Sequence, residues 1–454
     1  MHNFGVLALL PPLVVIVVAV FTRRSFEPLL VGCLVGFIMI DYNQILPNFS
    51  GALIKVMRDE SMVWVILVCG LYGALIQLLV QSGGAFAFGA YILKYVKNRK
   101  IALLTTWFLG IFLFIDDYLN ALTTGTTMRK VSDNFGVSRE FFAYIISSTA
   151  VPTCVLVPLS TWSIYIGKLI ENENLVPKGA GFYGYVKTIV YQPYAWCALF
   201  LVPLVVLGVV PIFGKMKVAE RRAATQGILA PAGSEKMRLD VNLPTDLSKA
   251  KPIHFFLPLL LLIAATIYLD IDALKGILVA LLFTVGYYHF AKLLPYTHIF
   301  DGLFDGFKSM IFTLAILFMS YMLKEVGDQM GLTQYVIAGL KTTVTARTLP
   351  FAAFASLGVI AFATGSSWGI YAVAIPLIVP VAQALGANVW LALGAVISAG
   401  SFGAHACFYS DATLLASAGA ECDNVQHAIT QLPYALISAC VAAIAFLLFG
   451  FYGG

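Results

Sequence analysis

Charge is what this sequence has least of. Asp, Glu, Lys and Arg supply 11% of its 454 residues, against about 25% in an average globular chain. So few charges cannot cover the surface of a soluble protein. Hydrophobic residues make up 60% of the chain, and the mean hydropathy is +0.89. A net charge of +5 is too small to single out a polyanion, and no nucleic acid is expected as a partner. Ordinary soluble enzymes and disordered scaffolds are excluded as well, which leaves a polytopic membrane protein in contact with lipid. The common chemical signatures are also missing. No GxxxxGKS/T phosphate loop is present, so the chain has no nucleotide motor of its own. Neither HExxH nor a clustered Cys/His set for zinc occurs, and no GxGxxG follows a strand. The seven cysteines are scattered without CxxC spacing and read as small buried hydrophobes. No basic region precedes the apolar run from Gly5 to Phe21, which ends at Arg23-Arg24. That pattern suits a retained first helix rather than a cleaved signal.

What the chain does have is apolar runs of bilayer length, which is about 17–25 residues for a helix. They fall near 5–22, 28–46, 62–81, 141–166 and 190–213, and again near 254–270, 273–290, 309–324, 389–417 and 429–451. Between the third and fourth run of each series lies an apolar but interrupted stretch, 101–135 and 349–386. The segment 214–252 is polar and basic and reads as a linker between halves 1–213 and 253–454.

The halves overlay at a nearly constant offset. Met62, Gly83, Arg99 and Phe114 meet Met310, Gly331, Arg347 and Phe362. Further on, Gly136, Ser148 and Ser160 meet Gly386, Ser398 and Ser410, and Pro193-Tyr194-Ala195 meets Pro433-Tyr434-Ala435. The shared order implies an internal duplication. If the interrupted stretches are re-entrant hairpins, each half crosses five times, and an odd count inverts the second copy. The fold expected is all-α: two inverted repeats, each of five transmembrane helices and one hairpin followed by a discontinuous helix. With the linker in the cytoplasm, 19 of the 28 lysines and arginines lie inside and both termini outside, in keeping with the positive-inside rule.

Four polar clusters break the apolar runs. Non-helical backbone at membrane depth is tolerated only where protein encloses it or a wet cavity adjoins it. The first cluster is Phe114-Ile-Asp116-Asp117-Tyr118-Leu-Asn120, followed by threonines. Two adjacent carboxylates in such a run cost about 2.5–3.5 kcal/mol each on insertion scales. They persist if they bind a cation, share a proton or face water; otherwise the cluster is a surface turn with capping carboxylates. Its counterpart is Thr364-Gly365-Ser366-Ser367-Trp368-Gly369, whose hydroxyls and freed carbonyls suit Na⁺. A helix starting there could instead receive a carboxylate, or the glycines could serve packing alone. The third and fourth clusters interrupt the next helix of each half: Pro158-Leu-Ser160-Thr161-Trp162-Ser163, and His405 through Tyr409-Ser410-Asp411-Ala-Thr413. Asp411 is the foremost coupling candidate, able to hold Na⁺ when ionised or carry H⁺ when neutral. His405 is either a core histidine or a proton relay, and Trp162 and Trp368 are either packing or a substrate platform. Glu325, beside Lys324 and Asp328, reads as interfacial.

These paired clusters resemble the ion transporter superfamily, and within it the NhaC-type Na⁺/H⁺ antiporter family. The residues that carry the resemblance are Gly365-Ser-Ser-Trp-Gly369 with Pro376, Phe114-Ile-Asp-Asp-Tyr118, and Tyr409-Ser410-Asp411-Ala-Thr413. Where the family typically has Gly-Thr-Ser-Trp-Gly-Thr, this chain has Ser366 and Ile370, one hydroxyl fewer. The resemblance implies an inverted-repeat fold with two re-entrant hairpins and a homodimer whose transport domains move against a scaffold. It also admits related exchangers of malate and lactate and carriers of amino acids.

The expectation is a bacterial inner-membrane antiporter with no organic cofactor, using Na⁺ and/or H⁺ as coupling ions. Asp116, Asp117 and Asp411 would carry charge and coordinate Na⁺. Asn120, Ser160, Thr161, Ser163, Gly365, Ser366, Ser367, Trp368, His405, Ser410 and Thr413 would complete the site. An organic-solute exchanger on the same fold is the alternative. A channel or a membrane-embedded enzyme is the third reading, although no catalytic constellation is visible.

Overall fold

The computed structural model describes residues 4–22, 26–93, 96–237, 249–269, 272–332, 335, 344–365, 367–408 and 410–452. Among these, every regular element is a helix. The first half runs α1 (Leu10–Thr22), α2 (Phe26–Ile40), α3 (Ile45–Met57), α4 (Glu60–Gln81) and the short α5 (Gly84–Leu93). It continues with α6 (Arg99–Phe112), α7 (Asp117–Asn134), α8 (Arg139–Leu156), α9 (Thr161–Asn172), α10 (Gly181–Ile189) and α11 (Pro193–Leu207). After α12 (Gly214–Gln226) come α13 (Ile253–Tyr268), α14 (Ala273–Phe290), α15 (Tyr296–Ser309) and α16 (Ile311–Met330). The chain ends with α17 (Leu349–Thr364), α18 (Ser367–Leu385), α19 (Val389–Ala406), α20 (Asp411–Ala420) and α21 (Asn424–Tyr452).

Two bodies of packed helices result. In one, α4 lies on α14 and α15, and α16 lies on α2 and α3. In the other, α7, α8 and α20 pack together, α19 sits between α17 and α18, and α21 runs against α8, α11 and α19. The contacts of α16 with α18 and of α4 with α9 join the two. Large apolar side chains such as Phe21, Phe200, Leu282, Phe290 and Val359 are exposed on the outside. So much exposed apolar surface suits lipid rather than water.

Among the described residues, five helices are long and apolar enough to cross a membrane, and a sixth if α10 and α11, bent by 57°, count as one span. The sequence predicts ten crossings. Stretches such as Phe26–Ile40 and Ile253–Tyr268 form shorter apolar helices of 10–17 residues, because polar turns like the one at Asp41 cut them early. Nor is the segment expected to be a linker, 214–252, merely a spacer. α12 buries Met216, Ala219 and Ala223, and its Glu220 accepts from the amide and hydroxyl of Ser138 at 3.0 and 2.8 Å.

α7 and α20 touch through glycine. A Cβ on Gly125 would lie 2.5 Å from the backbone of Gly419, and one on Gly419 would lie 2.5 Å from the Ala121 carbonyl. Backbone cannot swing aside as a side chain can. Gly419→Val should therefore cost about 1–3 kcal/mol or more and lower the melting temperature in detergent. A variant melting with the wild type would mean that these helices can part at little cost.

Candidate functional site

The chain turns at the tip of the α6–α7 pair because Asp116 is extended and caps α7. Its carboxylate accepts from the Tyr118 and Leu119 amides at 3.0 and 3.3 Å, the bonding that makes Asp a favoured N-cap. Its second oxygen accepts from the Thr161 hydroxyl at 2.9 Å, and the Thr161 amide donates to the Ile115 carbonyl at 2.9 Å. Asp117 accepts from the Trp162 indole at 2.9 Å. Both carboxylates are buried. The tip of one helix pair is thus bonded, through two carboxylates, to the break between α8 and α9.

That break is held by its own hydroxyls. Ser160 and Ser163 form a reciprocal capping box, and Ser160 Oγ donates to the Cys154 carbonyl at 2.5 Å. The break between α19 and α20 repeats this bonding. Ser410 Oγ donates to the Ala404 carbonyl at 2.5 Å, again six residues back, and accepts from the Thr413 amide at 3.2 Å. Ser160, Ser163, Ser410 and Thr413 therefore spend their oxygens on shaping the breaks. Asn120 acts similarly, donating to the carbonyls of Gly110 and Thr149 at 2.5 and 2.9 Å and so tying α7 to α6 and α8.

In the other half, Gly365 ends α17 in the left-handed region, φ 67°, a conformation glycine adopts without strain. Ser367 donates to the Gly400 carbonyl at 2.7 Å. Trp368 meets Trp162, with ring centroids 4.9 Å apart, and its carbonyl accepts from the Tyr165 hydroxyl at 3.0 Å. The tip of α17–α18 therefore meets the α8–α9 break through aromatic contact, and Trp162 in turn donates to Asp117. His405 has both ring nitrogens partnered, by Ser148 at 3.0 Å and by Tyr194 at 2.7 Å. Ser366 lies outside the described residues. For Asp411 only the backbone is described, as the first residue of α20. No group of three or more His, Cys, Asp or Glu fit to hold a metal occurs among the described residues.

Residues 163–451 match the Na⁺/H⁺ antiporter family, well over half of the chain. The chain belongs to the Na⁺/H⁺ antiporter family. An uncharacterised protein of Haemophilus influenzae is 28% identical over 99% of this chain and 92% of its own length. A malate-2H⁺/Na⁺-lactate antiporter of Bacillus subtilis is 33% identical over 97 residues, 21% of each chain. The solved YdaH transporter of Alcanivorax borkumensis aligns over 90% of both chains with a TM-score of 0.53 at 13% identity, a likeness of fold. Members of this family are transporters and not enzymes, and this chain is a membrane transporter.

The antiporter-family chain also has a charged vestibule. A cavity of about 220 Å³ lies among α3, α9, α16 and α18 and is lined by Lys55, Glu173, Tyr321, Lys324, Glu325 and Asp328. It adjoins another of about 290 Å³ that shares Asn172, Ala372 and Pro376. Glu325 pairs with Lys55 at 2.7 Å across this space, and Lys324 pairs with Glu173. Sequence reading left Glu325 interfacial without naming its partner, which is 270 residues away. It also missed Tyr165 and Tyr371, whose rings surround the tryptophan pair. A signal for them was present: Trp162-Ser-Ile-Tyr165 is echoed by Trp368-Gly-Ile-Tyr371.

Proposed function

We propose that this chain is a cation-coupled antiporter of the bacterial inner membrane, exchanging Na⁺ and H⁺ by alternating access. The observation that carries the reading is the run from Asp117 through Trp162 to Trp368. It links a buried carboxylate at one broken helix to the tip of the other half's helix pair, the arrangement expected of a site between repeats. On this reading, residues 1–213 and 253–454 are inverted repeats and the pairs α6–α7 and α17–α18 are re-entrant hairpins. The linker 214–252 is cytoplasmic, both termini lie outside, and the functional unit is a homodimer. Asp116, Asp117 and Asp411 supply the charge that a Na⁺ or a proton neutralises. Carbonyls freed at the breaks supply neutral oxygen.

A second reading keeps the site and adds an organic solute, such as a small carboxylate or an amino acid. The vestibule favours it, since two cavities of about 220 and 290 Å³ carrying Lys55 and Lys324 exceed what a bare ion needs. The short match to a malate/lactate exchanger points the same way.

Proteoliposomes with an entrapped pH dye separate the two readings. A Na⁺ pulse that moves protons without any organic solute supports simple exchange. Proton movement that waits for malate or lactate supports the second reading. A saturable rate that changes between about pH 5 and 9 is expected from a buried carboxylate. No proton movement under any of these gradients would overturn both.

A further inference from the structure

One face of α21 carries polar groups that the central site does not use. His427, Thr430, Gln431, Tyr434 and Ser438 stand at i, i+3, i+4, i+7 and i+11, hence on one side of the helix. All five are buried. Gln431 Nε2 donates to the backbone carbonyl of His405. One turn earlier, His427 is wholly buried. Both its ring nitrogens, and Gln431 Oε1, have no hydrogen-bonding partner among the described residues.

Such a ring is costly to leave alone. A neutral imidazole always presents one donor and one acceptor, and each such group buried unpaired costs about 1–3 kcal/mol. Buried polar groups of this kind are ordinarily met by water or an ion. The position also has an exit. One turn before His427, whose amide donates to the Asp423 carbonyl at 2.9 Å, the Asp423 amide donates to the linker's Ser234 hydroxyl at 3.0 Å. His427 therefore lies between the linker face and His405, whose two hydroxyl partners can each donate or accept.

We propose that His427 and Gln431 form a hydrated proton-binding site, passing protons between the linker face and His405 beside the break at 407–410. The step needs no redox partner. A proton binds one nitrogen of His427 as the proton on the other nitrogen leaves, and the ring ends neutral with its tautomer reversed. Among the described residues, the titratable and charged groups around this end of α21 include His405, Tyr194, Tyr144, Tyr434, Glu140, Arg139, Arg222, Glu421, Cys422 and Asp423. Glu140 is already neutralised by Arg222.

The use of that proton in coupling rests on the antiport reading; the site does not. Exchange of the imidazole C2 hydrogen, followed by mass spectrometry on the full-length protein in D₂O, tests hydration without transport. His427 should exchange its C2 hydrogen measurably in the folded protein, and a ring that exchanges only after unfolding would overturn the site. In proteoliposomes, His427→Asn and His427→Gln should cut proton flux at least ~10-fold and flatten its pH profile, with Na⁺ thermal shifts unchanged. Variants with wild-type flux and profile would overturn the relay. A wild type that moves no protons would instead sink the antiport reading, and the exchange measurement would still decide the site.

Discussion

Asp116→Asn should stop coupled transport while leaving the protein folded. Asparagine is as good an N-cap as aspartate, so the bonds from the Tyr118 and Leu119 amides survive. The Thr161 hydroxyl that donates to Asp116 Oδ2 can rotate and accept from the new amide, at a cost of about 1 kcal/mol or less. Against that stands relief from holding a carboxylate in an apolar setting, about 2.5–3.5 kcal/mol on insertion scales. The melting temperature should therefore hold or rise. Flux should fall ~100-fold or more, the size of effect seen when one charge-stabilising group is lost from a water-excluded site. Asp411→Asn, at the first position of α20, should behave alike. The decisive comparison is a detergent melt beside gradient-driven flux on the same preparation. Wild-type flux from Asp116→Asn would remove this carboxylate from the mechanism.

The breaks were legible because polar residues inside apolar runs are conspicuous. Asp116-Asp117, Pro158 through Ser163, and His405 through Thr413 stand out in the sequence, and all three mark real interruptions of helix. What those residues do there was less legible. Ser160 and Ser410 look like oxygen donors, yet each bonds a carbonyl six residues back, a bond that exists only once the chain has turned. Trp162 and Trp368 lie 206 residues apart, and no local pattern brings their rings together. α3 escaped notice for a different reason. At 13 residues it is shorter than a span, so a search for crossings merges it with the loops around it. His427 stands outside the polar clusters, and nothing in its local sequence marks a lone histidine near a helix start. Only the packing of α21 reveals that it is buried and without a hydrogen-bonding partner among the described residues.

Arg222→Ala should destabilise the protein more than any other change outside the central site, by about 3–5 kcal/mol. Glu140, in the first turn of α8, is only 2% exposed. Its two oxygens take a bidentate pair of bonds from Arg222 at 3.0 and 2.8 Å. The same guanidinium donates to the carbonyls of Ile228 and Leu229 at 3.0 Å each, and the Leu229 carbonyl also accepts from the Arg139 amide at 2.9 Å. Removing Arg222 strands a carboxylate in the interior and frees the Ile228-Leu229 segment that α8 holds. The charge, rather than the contact, should account for most of the loss. Glu140→Gln combined with Arg222→Met removes both charges and keeps the bulk, so it should recover much of the stability, as replaced buried pairs often do. A double-mutant cycle read by thermal melts isolates the coupling, expected at up to about 3 kcal/mol. Should Arg222→Ala melt with the wild type, the linker is not clamped to α8 through this pair. Its helix would then be held by Met216, Ala219 and Ala223 together with Glu220, which also accepts from Arg99 at the start of α6. That second anchor makes the linker a brace across α6 and α8, the helices that present Asp116 and Ser160 to each other.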